Sequence, residues 1–66
     1  MLIKLNGEHH ETRDNITVSR LLSSLGIAGG RVAVEVNLAV VKKCDYDARE
    51  LREGDQVEVV NFVGGG

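Results

Sequence analysis

The chain has 66 residues, of which 42% are hydrophobic. A chain of this length can form one domain with a thin core and no deep cofactor pocket, and this argues against a self-sufficient enzyme. The net charge of −2 at pH 7 provides no basic footprint that could displace counterions from phosphates, so we expect no nucleic-acid partner. The single cysteine excludes an intramolecular disulfide framework and any zinc site of several cysteines, and we expect neither a metal nor a bound cofactor.

Met1, Ile3 and Leu5 fall on one face at a period of two, with Lys4 on the other, and this pattern predicts a first strand over residues 1–5. Asn6-Gly7 follows, a pair that favours the type I′ turn of a two-residue hairpin. The return strand, residues 8–13, is polar throughout, so we expect it at an edge of the sheet.

An amphipathic helix is predicted over residues 18–25. Its apolar stripe consists of four residues spaced at i, i+3, i+4 and i+7, namely Val18, Leu21, Leu22 and Leu25. Thr17 is a suitable N-cap, and Ile16 before it can form a hydrophobic staple with Leu21. Gly26 is placed to end the helix in the left-handed conformation.

Residues 32–37 alternate again, which predicts a strand whose valines face the core. Asn37-Leu38-Ala39 is expected to form a tight turn into a short strand around Val40 and Val41. The polar segment 43–53 follows, and we expect a short helical turn within it, with Leu51 as its anchor in the core.

Glu53-Gly54-Asp55 predicts a turn before the last strand, which covers residues 56–61. This strand is rich in β-branched residues, so we expect it at the centre of the sheet and not at an edge. The predicted order is therefore strand, strand, helix, strand, short strand and strand.

The segment Phe62-Val63-Gly64-Gly65-Gly66 follows this strand, so we divide the chain into a domain over residues 1–61 and a flexible tail over residues 62–66. Glycine lacks a Cβ atom, and a glycine tail can therefore pass through a narrow channel. Five extended residues reach at most about 17 Å, which is enough to carry the end of the chain into another protein's active site. Gly64 and Gly65 are predicted to enter that site.

The α-carboxylate of Gly66 is the predicted reacting group. It is ionised at neutral pH, and it is a nucleophile toward phosphorus but a poor electrophile at its own carbon. If a partner enzyme transferred AMP onto it from ATP, the mixed anhydride would become a good acyl donor to a sulfur or nitrogen nucleophile. Because none of these steps requires a catalytic side chain on the carrier, we predict a carrier and not an enzyme.

Strand alternation also predicts a docking surface beside the tail. If Val57 and Val59 face the core, Val60 and Phe62 point to the other face of the sheet. A small apolar patch next to a mobile tail is suited to a partner protein, although a neighbouring loop could also cover it.

Three stretches of the sequence resemble the ThiS family, the sulfur carriers of the thiamine pathway. They are Gly54-Asp55-Gln56-Val57-Glu58-Val59-Val60-Asn61-Phe62-Val63-Gly64-Gly65-Gly66, Val34-Glu35-Val36-Asn37, and the helix start Thr17-Val18 with Leu21-Leu22. The resemblance covers essentially the whole chain, and its C-terminal stretch is the most specific part. It implies an α+β fold of the β-grasp, ubiquitin-like type, in which a mixed sheet of four or five strands grips one main helix. The first and last strands of that fold lie parallel at the centre of the sheet.

The resemblance further implies a reaction cycle and its partners. An E1-like adenylyltransferase of the ThiF type would use ATP to adenylate Gly66, and a cysteine-derived sulfur donor would then convert it to a thiocarboxylate. A thiazole synthase of the ThiG type would take this sulfur for the thiazole ring of thiamine. Phe62 and Val63 would occupy the positions before the glycines that enter the partner site, next to Val60 in the docking surface.

Three other functions stay open at this point. A sulfur carrier like the small subunit of molybdopterin synthase has the same fold, but such chains usually run longer and carry prolines before the diglycine, and this chain has no proline. A ubiquitin-like modifier would join Gly66 to a lysine and would produce a ladder of conjugates on a denaturing gel. A plain interaction domain would not use the tail at all.

Other side chains that could carry chemistry have simpler interpretations. Cys44 is interpreted as an incidental or partly buried thiol, and the adjacent His9 and His10 point to opposite faces of a strand, so they cannot grip one ion together. The acidic residues within 45–55 form a solvated face or steer the chain toward a basic rim on the adenylyltransferase. Gly29-Gly30 is internal, lacks a free carboxylate and is interpreted as loop.

The first residues form no signal peptide, and no apolar run approaches the length of a membrane span. We therefore expect a cytoplasmic protein that has no membrane partner.

Overall fold

A computed structural model of the chain describes residues 1–27 and 31–61, and in it a single mixed sheet packs against one helix. The strands are β1 (Leu2–Leu5), β2 (Glu8–Glu11), β3 (Val32–Val36), β4 (Ala39–Val41) and β5 (Gln56–Asn61), and the helix is α1 (Val18–Ser24). The spatial order of the strands is β2-β1-β5-β3-β4. β1 and β5 run parallel, and every other neighbouring pair is antiparallel. The predicted mixed sheet, with the first and last strands parallel at its centre, is confirmed.

Helix α1 begins and ends as its sequence predicts. The Thr17 hydroxyl accepts a hydrogen bond from the Arg20 N–H at 3.2 Å, which satisfies one of the free donors of the first turn. At the other end, Gly26 has a φ of +74°, and the Ile27 N–H donates to the Leu22 carbonyl at 3.0 Å. This is the Schellman pattern. Leu25 is the C-cap, so the helix is one residue shorter than predicted.

The first hairpin has the predicted turn but a shorter return strand. Asn6 and Gly7 have φ values of +51° and +85°, and a type I′ turn requires positive φ at both positions. β2 ends at Glu11 and not at residue 13, because its partner β1 begins at Leu2, which pairs with Glu11. β2 lies at the edge of the sheet, as expected from its polar sequence.

The second hairpin turns more tightly than the sequence suggested. Asn37 and Leu38 have φ values of +52° and +71°, so these two residues alone form the turn. Ala39, which was predicted to lie in the turn, instead begins β4 and pairs with Val36. A two-residue connection of this kind follows the right-handed twist of the two strands that it joins.

The core lies between the sheet and α1. Its buried residues come from every strand except β2, from α1 and the residue before its N-cap, and from the segment after β4. They are Ile3, Ile16, Val18, Leu21, Leu22, Val32, Val34, Val36, Val41, Tyr46, Leu51, Val57 and Val59. Leu51 is fully buried, as predicted. Tyr46 was not predicted to be buried, yet only 8% of its surface is exposed. The Ser19 N–H donates to the Tyr46 carbonyl at 3.0 Å, and this bond holds the segment against the helix.

The polar segment 43–53 contains the predicted short helical turn, a 3₁₀ turn at Lys43–Asp45. Beyond that turn the chain is bound to the start of α1 through its backbone. The Val18 N–H donates to the Arg49 carbonyl at 3.0 Å, and the Leu51 N–H donates to the Ile16 carbonyl at 2.8 Å. These bonds satisfy backbone groups that a polar segment on the surface would otherwise leave to water.

Candidate functional site at the end of the central strand

Strand β5 carries the predicted site, since the glycine tail (residues 62–66) follows its last residue. Val57 and Val59 are buried, with 1% and 9% of their surface exposed, whereas Val60 is 51% exposed. The alternation predicted for this strand is therefore confirmed up to Val60. The predicted site residues Phe62, Val63, Gly64, Gly65 and Gly66 lie outside the described residues, and their roles stay predictions.

Val60 belongs to the face of the sheet that points away from α1. We call the side chains of Ala33, Glu35, Val40, Glu58 and Val60 the outer face. The register places Ala33 opposite Val60, and it places Glu35 between Val40 on one side and Glu58 on the other. Val40 is 71% exposed. The outer face thus presents separate apolar side chains around two carboxylates, and two of its residues, Glu58 and Val60, lie on β5, the strand that leads into the tail.

The two carboxylates of the outer face are direct cross-strand partners. Glu35 of β3 pairs with Glu58 of β5, and like charges in opposite positions destabilise a sheet. Within the part of the chain that the structure describes, neither carboxylate forms a salt bridge. A basic group on a partner protein would relieve this repulsion. The sequence did not reveal this pair, because its members meet only through the register of β3 on β5.

The backbone of β5 is held on both sides. Along β3 the pairing extends from Val57, opposite Val36, to Asn61, opposite Val32. Along β1 the backbone pairing covers only Gln56 and Val57, and beyond it the side chain of Asn6 bonds to Val59. The central strand therefore forms a rigid base for the segment that follows it.

The tip of the second hairpin carries an exposed apolar side chain in an unfavourable conformation. Leu38 has a φ of +71° and is 85% exposed. A left-handed conformation brings Cβ of an L-residue close to the carbonyl oxygen, so glycine or asparagine usually occupies such a position. In the free chain nothing described covers this side chain.

The remaining candidate side chains are spread over the surface. Cys44 is exposed, so it is not the partly buried thiol that was one interpretation of it, and its Sγ lies 3.8 Å from a carboxylate oxygen of Asp45. His9 is exposed and His10 is half-buried, which fits their opposite directions on β2. Among residues 1–27 and 31–61, no group of three His, Cys, Asp or Glu side chains could hold a metal ion. No helix in this part of the chain is long and apolar enough to cross a membrane.

The sequence model of the ThiS family matches residues 3–66, which is nearly the whole chain and includes the glycine tail. The chain belongs to the ThiS family. The sulfur carrier protein ThiS of Bacillus subtilis is 36% identical over 66 residues, which cover 98% of this chain and all of that protein. These matches confirm the family that the sequence resembled, that of the sulfur carriers of thiamine biosynthesis.

Two longer relatives of this ThiS-family chain carry a different name. A thiazole synthase of Magnetococcus marinus is 52% identical over 66 residues, and a thiazole synthase of Paramagnetospirillum magneticum is 41% identical over 66 residues. Each match covers 100% of this chain but only 20% of the relative. The chain thus spans about one fifth of the length of the two thiazole synthases.

A solved structure of the family has the same fold. The crystal structure of the thiamine biosynthesis protein ThiS from Geobacter metallireducens matches with a TM-score of 0.85 and 35% sequence identity, and the match covers 100% of both chains. The solution structure of the thiamine biosynthesis protein from the same organism matches with a TM-score of 0.80. The predicted β-grasp fold is therefore confirmed.

Proposed function

We propose that this chain is a sulfur carrier of thiamine biosynthesis that acts as a tethered cosubstrate and contributes no catalytic side chain. The observation that carries the proposal is the match to the ThiS family, which extends to Gly66 at the end of the glycine tail. The fold adds a physical reason, since β5 is fixed between two neighbouring strands and gives the tail a rigid origin.

The proposed chemistry takes place at the α-carboxylate of Gly66 and requires this residue to be the C-terminus of the chain. One carboxylate oxygen attacks the α-phosphorus of ATP, pyrophosphate leaves, and an acyl-adenylate forms. A hydrosulfide ion derived from cysteine then attacks the acyl carbon; the C–S bond forms, the C–O bond to AMP breaks, AMP leaves, and a thiocarboxylate remains. An E1-like adenylyltransferase of the ThiF type supplies the site for ATP. Gly64 and Gly65 have no side chains, so they fit a narrow channel that leads to that site.

The β5 part of the outer face, Glu58 and Val60, is the proposed docking surface of the adenylyltransferase. Val60 provides an exposed apolar contact beside the tail, and Phe62 and Val63 extend this contact in our proposal. The repulsion between Glu35 and Glu58 favours a partner that presents basic groups, because electrostatic complementarity raises association rates and selects partners.

We infer that the loaded thiocarboxylate passes its sulfur to a thiazole synthase of the ThiG type. Support comes from the two relatives named thiazole synthase, each of which contains a segment of 66 residues similar to this whole chain. Segments that occur in one polypeptide are held at a high effective concentration relative to each other, which suits a carrier and the enzyme that it serves.

The carrier function is tested by weighing the intact protein after incubation with an adenylyltransferase of the ThiF type, ATP and a cysteine-derived sulfur source. We expect a mass gain that corresponds to the exchange of one oxygen for sulfur. A variant without Gly66 and a variant with one alanine added after Gly66 are the controls, and neither should gain sulfur at the tail. A wild-type protein that gains no sulfur with a competent adenylyltransferase would refute the proposal.

The docking surface is tested separately with Val60→Glu and with Val40→Glu as its matched control. Each change replaces an exposed valine of the outer face by glutamate, but Val60 is on β5, the strand that leads to the tail, whereas Val40 is on β4. We expect Val60→Glu to raise the KM of the adenylyltransferase for the carrier by about tenfold, as for an interface contact worth more than about 1 kcal/mol. An equal effect of both changes would point to net charge instead of a contact at Val60.

A further inference from the structure

Strand β5 loses its backbone partner on the β1 side before it ends. The Lys4 N–H donates to the Asp55 carbonyl at 2.9 Å, and the Asn6 N–H donates to the Val57 carbonyl at 2.8 Å. At Asn6 the chain then turns away into β2, because Asn6 and Gly7 form the hairpin turn. The next backbone groups of β5 on this side are those of Val59, and the backbone of β1 does not reach them.

The side chain of Asn6 takes the place of the missing strand. Its Oδ1 accepts a hydrogen bond from the Val59 N–H at 2.8 Å, and its Nδ2 donates to the Val59 carbonyl at 3.3 Å. Both bonds are partly buried. A carboxamide carries the same donor and acceptor groups as a peptide unit, so Asn6 extends the β1 side of the sheet by one residue. We call this pair of bonds the Asn6 clasp.

From this geometry we infer that Asn6 is a positioning residue for the tail, an inference that rests on the proposed carrier function. The clasp is the last described hydrogen bond to β5 on the β1 side, and Val59 lies three residues before the start of the tail. With the clasp, β5 is held on both sides as far as Val59; without it, its last residues are held by β3 alone. The clasp therefore fixes the direction in which β5 leads into the tail. Direction matters, since a misplacement of about 1 Å at a reacting group can cost about a hundredfold in rate.

The chain contains a matched control for this residue. Asn37 stands at the same position of the other hairpin turn, with a φ of +52°, and it also bonds to β5 through its side chain. Its Oδ1 accepts from the Gln56 N–H at 2.9 Å, and its Nδ2 donates to a carboxylate oxygen of Asp55 at 3.0 Å. Asn37 thus holds the first residue of β5, whereas Asn6 holds the strand near its end.

The experiment compares Asn6→Gly with Asn37→Gly. Glycine accepts the positive φ of both turns, so each change removes the side-chain hydrogen bonds to β5 without straining the turn, and both changes add the same kind of backbone entropy cost. We expect both variants to lose thermal stability. Only Asn6→Gly should lower kcat/KM for sulfur loading of the carrier, by about tenfold, a loss of about 1.4 kcal/mol of transition-state stabilisation. Asn37→Gly should load within about twofold of the wild type when both are assayed at a temperature at which they are folded.

Amide hydrogen exchange, measured by NMR on the same proteins, reports directly whether the Val59 N–H is held by the Asn6 clasp. We expect the Val59 amide to exchange at least about tenfold faster in Asn6→Gly than in the wild type, and the Gln56 amide to respond in Asn37→Gly. Asn6→Asp is the second variant. It tolerates positive φ and keeps the acceptor for the Val59 N–H, but it loses the donor to the Val59 carbonyl. Its loading rate should lie between those of the wild type and Asn6→Gly.

The outcomes separate the two proposals. If the wild type is loaded and Asn6→Gly and Asn37→Gly are loaded at equal rates, the positioning role of Asn6 is overturned and the carrier function stands. If Val59 exchange is unchanged in Asn6→Gly, the clasp does not hold the strand end and the inference is equally overturned. If the wild type itself gains no sulfur, the carrier function fails, and with it any role of Asn6 in loading.

Discussion

Leu38 is expected to destabilise the free protein, and its replacement by glycine tests this expectation. The residue has a φ of +71°, a conformation that costs an L-residue roughly 1–2 kcal/mol. Its side chain is 85% exposed, so little apolar burial is lost when it is removed. Glycine adopts positive φ freely but loses more backbone entropy on folding, which costs about 0.5–1 kcal/mol. From the middle of each range, we therefore expect Leu38→Gly to raise the free energy of unfolding by about 0.75 kcal/mol.

For a domain of this size, that gain corresponds to a rise in Tm of about 3–6 °C. The assay is thermal and urea unfolding followed by circular dichroism. Leu38→Ala is the first control, because alanine keeps Cβ and should gain no stability from the turn. Gly7→Ala is the reverse control, because Gly7 has a φ of +85° and a Cβ atom added there would meet nothing within 4 Å. Its loss of stability, about 1 kcal/mol, would be purely conformational.

A Tm of Leu38→Gly at or below that of the wild type would refute this reasoning. It would mean that the leucine side chain makes stabilising contacts in the free protein that outweigh the cost of its backbone conformation. If the expected gain in stability came with weaker binding to the adenylyltransferase, the result would also show that the partner covers Leu38.

Three further predictions concern stability and association. Thr17→Ala removes the cap of the Arg20 N–H and should destabilise the protein by about 1 kcal/mol in urea unfolding, whereas Thr17→Ser should not. Tyr46→Phe should be nearly neutral, because the Tyr46 hydroxyl lies 3.5 Å from the Val32 carbonyl, a long hydrogen bond; Tyr46→Ala should cost about 3 kcal/mol. Glu58→Gln should raise stability by about 0.2–1 kcal/mol, with slower association to the adenylyltransferase at low salt in stopped-flow mixing; an unchanged association rate would contradict the proposed docking surface.

Local sequence patterns were sufficient for most of the secondary structure. Alternation located the strands, and the stripe from Val18 to Leu25 located the helix, because each pattern reflects one buried face of one element. Gly26 and Thr17 marked the helix ends through their own backbone and side-chain chemistry. The errors fell where a neighbouring element decides the outcome, as when β2 stops at Glu11 because β1 begins at Leu2.

Long-range contacts could not be predicted in the same way. Tyr46 lies in a polar segment whose local pattern gives no period, and its burial depends on how that segment crosses the start of α1. The Asn6 clasp joins residues 53 positions apart, and the repulsion between Glu35 and Glu58 exists only in one strand register. For the candidate site, alternation predicted that Val60 points outward, but not which charges surround it.

The central place of β5 also has a consequence for how the chain is made. Among the described residues, β5 is the last strand in the sequence, yet it is the strand that joins β1 to β3. Before it is synthesised, the chain holds two separate two-stranded hairpins, which are at best marginally stable in water. Closure of the sheet then requires contacts between the two ends of the domain, which form slowly because they are so distant in sequence. A chain without β5 therefore cannot form the five-stranded sheet. β5, the strand that leads into the tail, is also the strand that completes folding. β5 must therefore have been synthesised before a partner can meet the folded domain.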